Sequence, residues 1–155
     1  NNASVFAPTD LKNVSSTELK RTFDINLIAP ILLSKNMASQ KMKSSIINIL
    51  DIYAEKPLAS YFSYTISKAG LKMATKALAK ERGPAIRVNG VSPGIILWPE
   101  DEENKGFISE EVVENLPLKK KGKPIDIANT CYFLAEVAPF ITGEIVTVDG
   151  GQSLS

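Results

Sequence analysis

The sequence predicts one α/β domain with a parallel sheet, and three observations lead to that class. The chain has 155 residues, a length that allows a single domain. Long segments with helical periodicity alternate with short segments that are mostly apolar and β-branched. Such short segments are typical of strands buried on both faces, and their alternation with helices favours parallel pairing.

The first helix and strand of this pattern lie in the first third of the chain. Residues 15–42 predict a long helix that a serine at its start can cap, with Glu18 in the first turn. Pro30 lies inside this helix and is expected to bend it or to end its first half. Residues 44–50, SSIINIL, predict the first buried strand.

The pattern then repeats twice. Residues 61–82 predict a second long helix, which ends at a Gly-Pro pair, and residues 86–94 predict a strand that ends at Pro-Gly. An irregular, charged stretch follows. Residues 123–137 predict a third helix with a proline near its first turn. Residues 143–151 predict the last strand, which ends at Asp-Gly-Gly.

Composition excludes several kinds of function. The chain has 18 basic and 17 acidic residues, and this balance does not support binding of nucleic acids. It has no histidine, which removes Ser-His-Asp catalysis and most zinc sites, and no other metal site is predicted. The single Cys131 excludes an internal disulfide and fits a cytoplasmic protein. No apolar run approaches the ~20 residues that span a membrane.

Polar residues follow two of the predicted strands. Asp51 comes directly after the first strand and Pro93-Gly94 end the second, while residues 1–4 would reach the same edge if a strand precedes them. Ligands of open parallel sheets bind beyond the carboxyl ends of the strands. We therefore expect the functional site at this edge.

Tyr64 and Lys68 are the residues with the clearest chemical potential. They lie four positions apart in the second helix, which places them on one helical face. A nearby ammonium group favours the phenolate and lowers the pKa of a tyrosine. Such a pair suits proton transfer coupled to hydride transfer from a cofactor. Taken alone, the pair is equally typical of ordinary packing with a snorkelling lysine.

The motifs together resemble the short-chain dehydrogenase/reductase family. In chain order they are NNAS at the start, Asn26 in DINLIAP, Tyr64 and Lys68 as a Y-x-x-x-K pair, RVNGVSPG, and ITGEIVTVDGG. The resemblance implies a Rossmann-like, doubly wound parallel sheet. It also implies that residues 1–155 are the C-terminal, catalytic portion of that fold as one domain, without the N-terminal nucleotide-binding half and its glycine-rich turn.

The resemblance also implies roles for individual residues. Asp51, Tyr64, Lys68 and Asn26 would be catalytic, with the Asn26 carbonyl holding a relay water near the lysine. NADP(H) would be the cofactor, although the residues that distinguish it from NAD lie in the missing half. Contacts with it are expected from the residues that align with the family's cofactor-binding positions, namely Asn2, Ala3, Ser4, Tyr64, Lys68, Pro93, Gly94, Ile95 and Ile96.

Asp51 departs from the family pattern, in which a serine usually stands thirteen residues before the tyrosine. Pteridine reductases resemble this chain in carrying an aspartate there, and their cofactor-contacting serine and pterin-covering phenylalanine align with Ser4 and Phe6. The resemblance thus implies a pterin or folate-like substrate bound by Phe6, Asp51 and Tyr64. The other interpretations are a degenerate site at Asp51 and an ordinary core aromatic at Phe6.

Three functions remain open at this point. The first is an NADPH-dependent pteridine reductase with Tyr64 as the proton donor. The second is a carbonyl reductase acting on oxoacyl or hydroxysteroid substrates, and the third is a non-enzymatic remnant or binding module. The resemblance further implies a homotetramer, in which the helices at 15–42 and 61–82 pair across an axis. We expect Leu71, Ala74 and Leu78 on the outer faces of these helices.

Overall fold

The computed structural model describes residues 1–37, 44–96 and 110–154. The end of the first predicted helix and residues 97–109 of the charged stretch after the second strand lie outside the described residues. Within them, three parallel strands form one sheet in the order β1-β2-β3, namely β1 Ser44–Ile49, β2 Ile86–Pro93 and β3 Ile145–Val148. The parallel α/β sheet predicted from the sequence is confirmed.

The two faces of the sheet are not equally covered. The central strand β2 is buried over most of its length, and Val88 and Val91 are fully buried. In β1 burial alternates, because Ile46 and Asn48 face the core while Ile47 is only partly covered. The prediction that β1 is buried on both faces is therefore wrong for the described residues, since Ile47 lines an open cleft.

The first predicted helix is divided into three pieces: α1 Ser16–Phe23, a π-helical segment Asp24–Ile28 and α2 Ala29–Met37. Ser15 caps α1 in a reciprocal capping box with Glu18. The irregular turn precedes Pro30 because a proline ring clashes with the carbonyl four residues earlier in a regular helix, here that of Asn26. A wider π turn relieves that clash.

The second helix, α3, spans Phe62–Arg82, close to the predicted bounds. Its buried face includes Leu71, Thr75 and Ala79, which recur every fourth residue and pack toward β2. The prediction that Leu71 lies on the outer face is wrong, because this residue is only 2% exposed. The exposed large apolar residues of α3 are instead Phe62, Ile66 and Met73.

Two further helices complete the described part of the fold. α4 Glu110–Glu114 is short, and α5 Pro124–Tyr132 continues into a second π-helical segment, Phe133–Val137. The Arg87 guanidinium donates to carbonyls at the end of this segment, including those of Leu134 and Ala135, each at 2.6 Å. These bonds satisfy carbonyls that a helix end leaves unpaired. Within the described ranges, no helix is both long and apolar enough to cross a membrane.

Candidate active site

An open cleft of about 700 Å³ lies at the carboxyl edge of the sheet. The ends of β1 and β2, α3 and α5 all contribute to it, together with Asn1, Asn2, Ser4 and Phe6 from the start of the chain. Asn1 reaches this edge because its backbone pairs with Ile47 and Ile49 of β1 at 2.8 and 2.9 Å. The structure thus brings together segments that are far apart in sequence.

Asp51 and Tyr64 form a direct hydrogen bond in this cleft. The Tyr64 hydroxyl donates to Asp51 Oδ2 at 2.6 Å, and Asp51 Oδ1 accepts the backbone N–H of Tyr53 at 2.9 Å. The second bond caps a short 3₁₀ turn, Ile52–Ala54, which begins where β1 ends. The carboxylate is therefore held from both sides, with its position set by the end of a strand and the start of a helix.

Lys68 lies one helical turn after Tyr64 and is almost fully buried, with 3% of its surface exposed. Its ammonium group donates to the carbonyl of Ile49 at 3.0 Å and lies 5.6 Å from the centre of the Tyr64 ring. The ammonium is thus bound to the end of β1 rather than to the phenol oxygen. Tyr64, Lys68 and Asp51 all line the cleft.

The pKa of Tyr64 departs from the sequence-based expectation. Burial raises it, and the Asp51 carboxylate raises it further by its charge and by accepting the phenol proton. The prediction that Lys68 lowers the pKa of Tyr64 is wrong for this arrangement, since the closest charged group is an anion. Burial also raises the pKa of Asp51, against the opposing effect of its hydrogen bonds and of Lys68.

Burial lowers the pKa of Lys68 from 10.5 to about 8, although Asp51 opposes the shift. Between these two values the folded protein binds fewer protons than the unfolded chain, so stability should rise with pH in this window. Relative to Lys68→Met, the free energy of unfolding of the wild type is expected to gain about 3 kcal/mol between pH 8 and 10.5. Urea unfolding of both proteins across this range measures the gain. A constant difference would mean that Lys68 titrates normally.

Asn26 is fully buried in the π-helical segment and connects three parts of the fold. Its amide oxygen accepts the backbone N–H of Val5 at 2.7 Å and the hydroxyl of Ser4 at 3.2 Å. Its amide nitrogen donates to the carbonyl of Val5 at 2.9 Å and to Ser67 Oγ at 3.1 Å. The side chain therefore fixes the N-terminal segment against α3, beside Tyr64 and Lys68.

Phe6 lines the cleft but is already packed against two tyrosines. Its ring stacks on Tyr61 with centroids 4.3 Å apart and meets Tyr64 edge-on at 4.7 Å. Both geometries are favourable for aromatic pairs. One face of Phe6 is therefore covered by the protein, and a flat ligand could stack only on the other face.

The predicted cofactor contacts separate into two groups. Asn2, Ser4, Pro93, Gly94 and Ile96 line the cleft together with Tyr64 and Lys68. Ala3 and Ile95 are not among its lining residues. Ile95 differs from the prediction because its backbone is already paired: its N–H donates to Gln152 Oε1 at 3.0 Å and its carbonyl accepts from Gly122 at 3.0 Å.

Several residues of the site were not predicted from the sequence. α5 contributes one wall of the cleft through Pro124, Ile127, Ala128 and Cys131. Tyr53 and Gln152 are joined to the site by hydrogen bonds. Gln152 follows the last strand directly after Asp-Gly-Gly. This position in the sequence could have indicated that Gln152 lies at the carboxyl edge of the sheet. In the described part of the chain no cluster of acidic or cysteine side chains is arranged to hold a metal ion.

Comparison with known proteins agrees with this architecture. A family model described as enoyl-(acyl carrier protein) reductase matches residues 1–153. The L-xylulose reductase of Caenorhabditis elegans is 31% identical over 99% of this chain and 64% of its own length. Carbonyl reductase family member 4 of Danio rerio is 37% identical over 90% of this chain and 58% of its own length.

Solved structures match just as extensively. The 4-hydroxyisoleucine dehydrogenase complexed with NADH superposes with a TM-score of 0.86, at 31% identity. The match covers 99% of this chain and 67% of that protein. The Rossmann-like character of the parallel sheet is thereby confirmed. The chain spans less than two thirds of the length of the two curated relatives it matches here.

Proposed function

The chain belongs to the short-chain dehydrogenase/reductase family, and from that premise we propose that it serves to reduce a small-molecule carbonyl group with a nicotinamide dinucleotide. The observation that carries the proposal is the buried phenol of Tyr64, which is hydrogen-bonded to Asp51 at 2.6 Å and lines a cleft of about 700 Å³. The names of the two curated relatives, a xylulose reductase and a carbonyl reductase, support this substrate class.

The lining of the cleft fits the nicotinamide end of such a cofactor. Ser4 and Lys68 offer polar groups suited to ribose hydroxyls, and Pro93 and Ile96 offer an apolar surface suited to a flat ring. The bound dinucleotide would supply the hydride. We propose NADP(H) as this dinucleotide, as the family resemblance implies.

Tyr64 acts as the acid in this mechanism. Its raised pKa keeps the phenol protonated at neutral pH, so it has a proton to deliver to the oxygen of a reduced carbonyl. Lys68 adds a positive charge, which stabilises the negative charge that develops on the phenol oxygen as it gives up its proton.

A pteridine reductase is the second candidate, and Asp51 is the observation that favours it. An ionised carboxylate only accepts hydrogen bonds, so it suits a substrate that presents N–H donors, as an aminopterin ring does. Oδ1 and Oδ2 each accept one bond from the protein, which leaves further acceptor capacity facing the cleft. Phe6 offers one ring face for stacking. No described contact requires a pterin.

A substrate panel tests both candidates. NADPH and NADH oxidation would be followed with a xylulose-type sugar, an oxoacyl thioester, a small quinone and dihydrobiopterin, using the intact protein. Turnover with carbonyl compounds but not with dihydrobiopterin supports the first candidate, and the converse supports the second. An intact protein that binds neither dinucleotide would overturn both and favour the non-enzymatic alternative.

A homotetramer is the assembly we propose. α2 exposes Leu32 and Leu33 and α3 exposes Phe62, Ile66 and Met73, which is more apolar surface than two solvated helices need. We expect light scattering at micromolar concentration to give the mass of a tetramer, and Met73→Lys to weaken that assembly. A stable monomer in the wild type would contradict the proposal. We also propose that the protein is cytoplasmic and has no nucleic-acid partner.

A further inference from the structure

The first segment of the chain is fixed to the rest of the domain at two points. The first point is Asn26, whose side-chain amide bonds the backbone N–H and carbonyl of Val5 at 2.7 and 2.9 Å. The second point is Thr9, which forms an isolated parallel bridge with Tyr61 at the start of α3. Phe6 lies in the short span between these points, and its side chain lines the cleft.

Thr9 is bonded to α3 through both its backbone and its side chain. Its N–H donates to the carbonyl of Ser60 at 2.6 Å, and its carbonyl accepts the N–H of Phe62 at 3.2 Å. Its hydroxyl lies 2.7 Å from that of Ser63 and donates to the carbonyl of Ala7 at 3.3 Å. Since a hydroxyl has one proton, Ser63 is the donor in the bond between the two side chains. Thr9 and Ser63 are buried, with 7% and 1% of their surface exposed.

Phe6 packs against the same part of α3. Its ring stacks on that of Tyr61 with centroids 4.3 Å apart, and the Thr9 backbone bonds the residues on both sides of Tyr61. The Phe6 ring also meets the Tyr64 ring edge-on at 4.7 Å. The wall of the cleft at Phe6 and the proposed proton donor therefore form one packed unit, which Thr9 fixes to the start of α3.

The two fixed points divide the segment according to what each part faces. Asn26 holds Ser4, which we assign to the dinucleotide, through a bond of 3.2 Å and through the backbone of the next residue. Thr9 holds the part that carries Phe6. Among the described residues that line the cleft, neither Thr9 nor Ser63 occurs. An effect of Thr9 on a bound ligand must therefore act through Phe6.

We propose that Thr9 is a positioning residue that holds the Phe6 ring at a fixed distance from the Tyr64 phenol, and so places the carbonyl of a substrate against its proton donor. The inference rests on the proposed function, because it assigns proton delivery to Tyr64 and the substrate to the side of Phe6. The hydroxyl of Thr9 suits this role since it accepts a bond and donates another at the same time.

The arrangement also favours one class of substrate. One face of the Phe6 ring is covered by Tyr61, and a ligand can stack only on the other. A carbonyl compound with a flat apolar portion beside its carbonyl group fits that face, because offset stacking on an aromatic ring is favourable for such groups. A small aromatic quinone is therefore the probe of choice.

Three variants test the two bonds of the hydroxyl. Thr9→Val keeps the shape of the side chain and removes both bonds. Ser63→Ala removes only the bond between the two side chains. Thr9→Ser keeps a hydroxyl and should behave like the wild type. Thr147→Val, at an exposed position of β3, is the matched control for the loss of a threonine hydroxyl.

The first measurement does not depend on turnover. In the intact protein, labelled at phenylalanine and tyrosine, the nuclear Overhauser contact between the rings of Phe6 and Tyr61 reports their stacking. We expect this contact to weaken in Thr9→Val and in Ser63→Ala. It should persist in Thr9→Ser and in Thr147→Val.

The second measurement separates the substrate from the cofactor. Thr9→Val should raise the quinone KM about tenfold, as the loss of a buried hydrogen bond implies, and leave the dinucleotide KM unchanged. Ser63→Ala should raise the quinone KM less. The two substitutions together should have little more effect than Thr9→Val alone, because both remove the same bond. Thr9→Ser should restore a quinone KM close to that of the wild type.

Two results would overturn the inference. One is an unchanged contact between Phe6 and Tyr61, or an unchanged quinone KM, in Thr9→Val. The other is an equal rise in the KM of quinone and dinucleotide, which would indicate a general loosening of the domain. Failure of the proposed function is distinguishable from both, because a wild type without turnover contradicts the substrate assignment while the ring contact still decides whether Thr9 holds Phe6. If Thr9→Val does not fold, Ser63→Ala and Thr9→Ser provide the same two measurements.

Discussion

Tyr64→Phe is expected to lower turnover by at least about a hundredfold while dinucleotide binding stays close to that of the wild type. The substitution removes one oxygen atom, the one that donates to Asp51 at 2.6 Å and is the proposed proton donor. The ring remains, and with it the edge-on contact with Phe6. The fold and the cleft should therefore persist, and the chemical step alone should suffer.

Stopped-flow measurement of hydride transfer in the intact protein, combined with a dinucleotide titration, separates these effects. Tyr132→Phe is the matched control, because this tyrosine is 65% exposed on α5. Hydride transfer at the wild-type rate in Tyr64→Phe would remove Tyr64 from the mechanism. Loss of dinucleotide binding in the same variant would instead give the phenol a role in holding the cofactor.

Asp51→Ser is expected to change which substrates the protein prefers. The carboxylate accepts bonds from both Tyr53 and Tyr64, and the proposed N–H donors of a pterin would add a third. Loss of a charge-assisted hydrogen bond to a buried ligand costs about 1.5–3 kcal/mol, or roughly tenfold to a hundredfold in kcat/KM for the pterin. Activity on simple carbonyl compounds should fall less or rise, since a serine hydroxyl can donate to a carbonyl oxygen.

The measurement is a paired comparison of kcat/KM for dihydrobiopterin and for a small ketone or quinone, in the wild type and in Asp51→Ser. Asp10→Ser, at an exposed position, is the control for loss of an acidic side chain. Equal losses on both substrates would make Asp51 a general support of Tyr64. Absence of pterin activity in the wild type would leave carbonyl reduction as the function.

The elements of the fold were predictable because they depend on local patterns. Continuous apolar segments predicted all three strands of the sheet, and helical periodicity predicted α3 almost to its ends. The π turn before Pro30 was not predictable in kind. A proline indicates that a regular helix is disturbed. Whether the helix bends, ends or forms a wider π turn depends on the hydrogen bonds of the neighbouring side chains, here those of Asn26 with Val5 and Ser67.

The faces of the helices were harder to predict than the helices themselves. Leu71 was expected on an outer surface and is instead buried in the core of the domain. An apolar stripe indicates that one side of a helix is buried. It does not distinguish packing against the protein's own sheet from packing against another subunit. Only the docking of α3 against β2 decides which residues remain exposed.

The sequence by itself determined the class of the fold and indicated Asp51, Tyr64 and Lys68 as the proposed reactive residues. Their spacing on one helix and at the end of one strand is a local property. The tertiary structure alone decided how they act on one another. It places the carboxylate, rather than the ammonium, against the phenol, and it brings Gln152 from the last turn to the Ile95 amide. Burial and distance determine the pKa of each group, and both arise only when segments separated in sequence pack together.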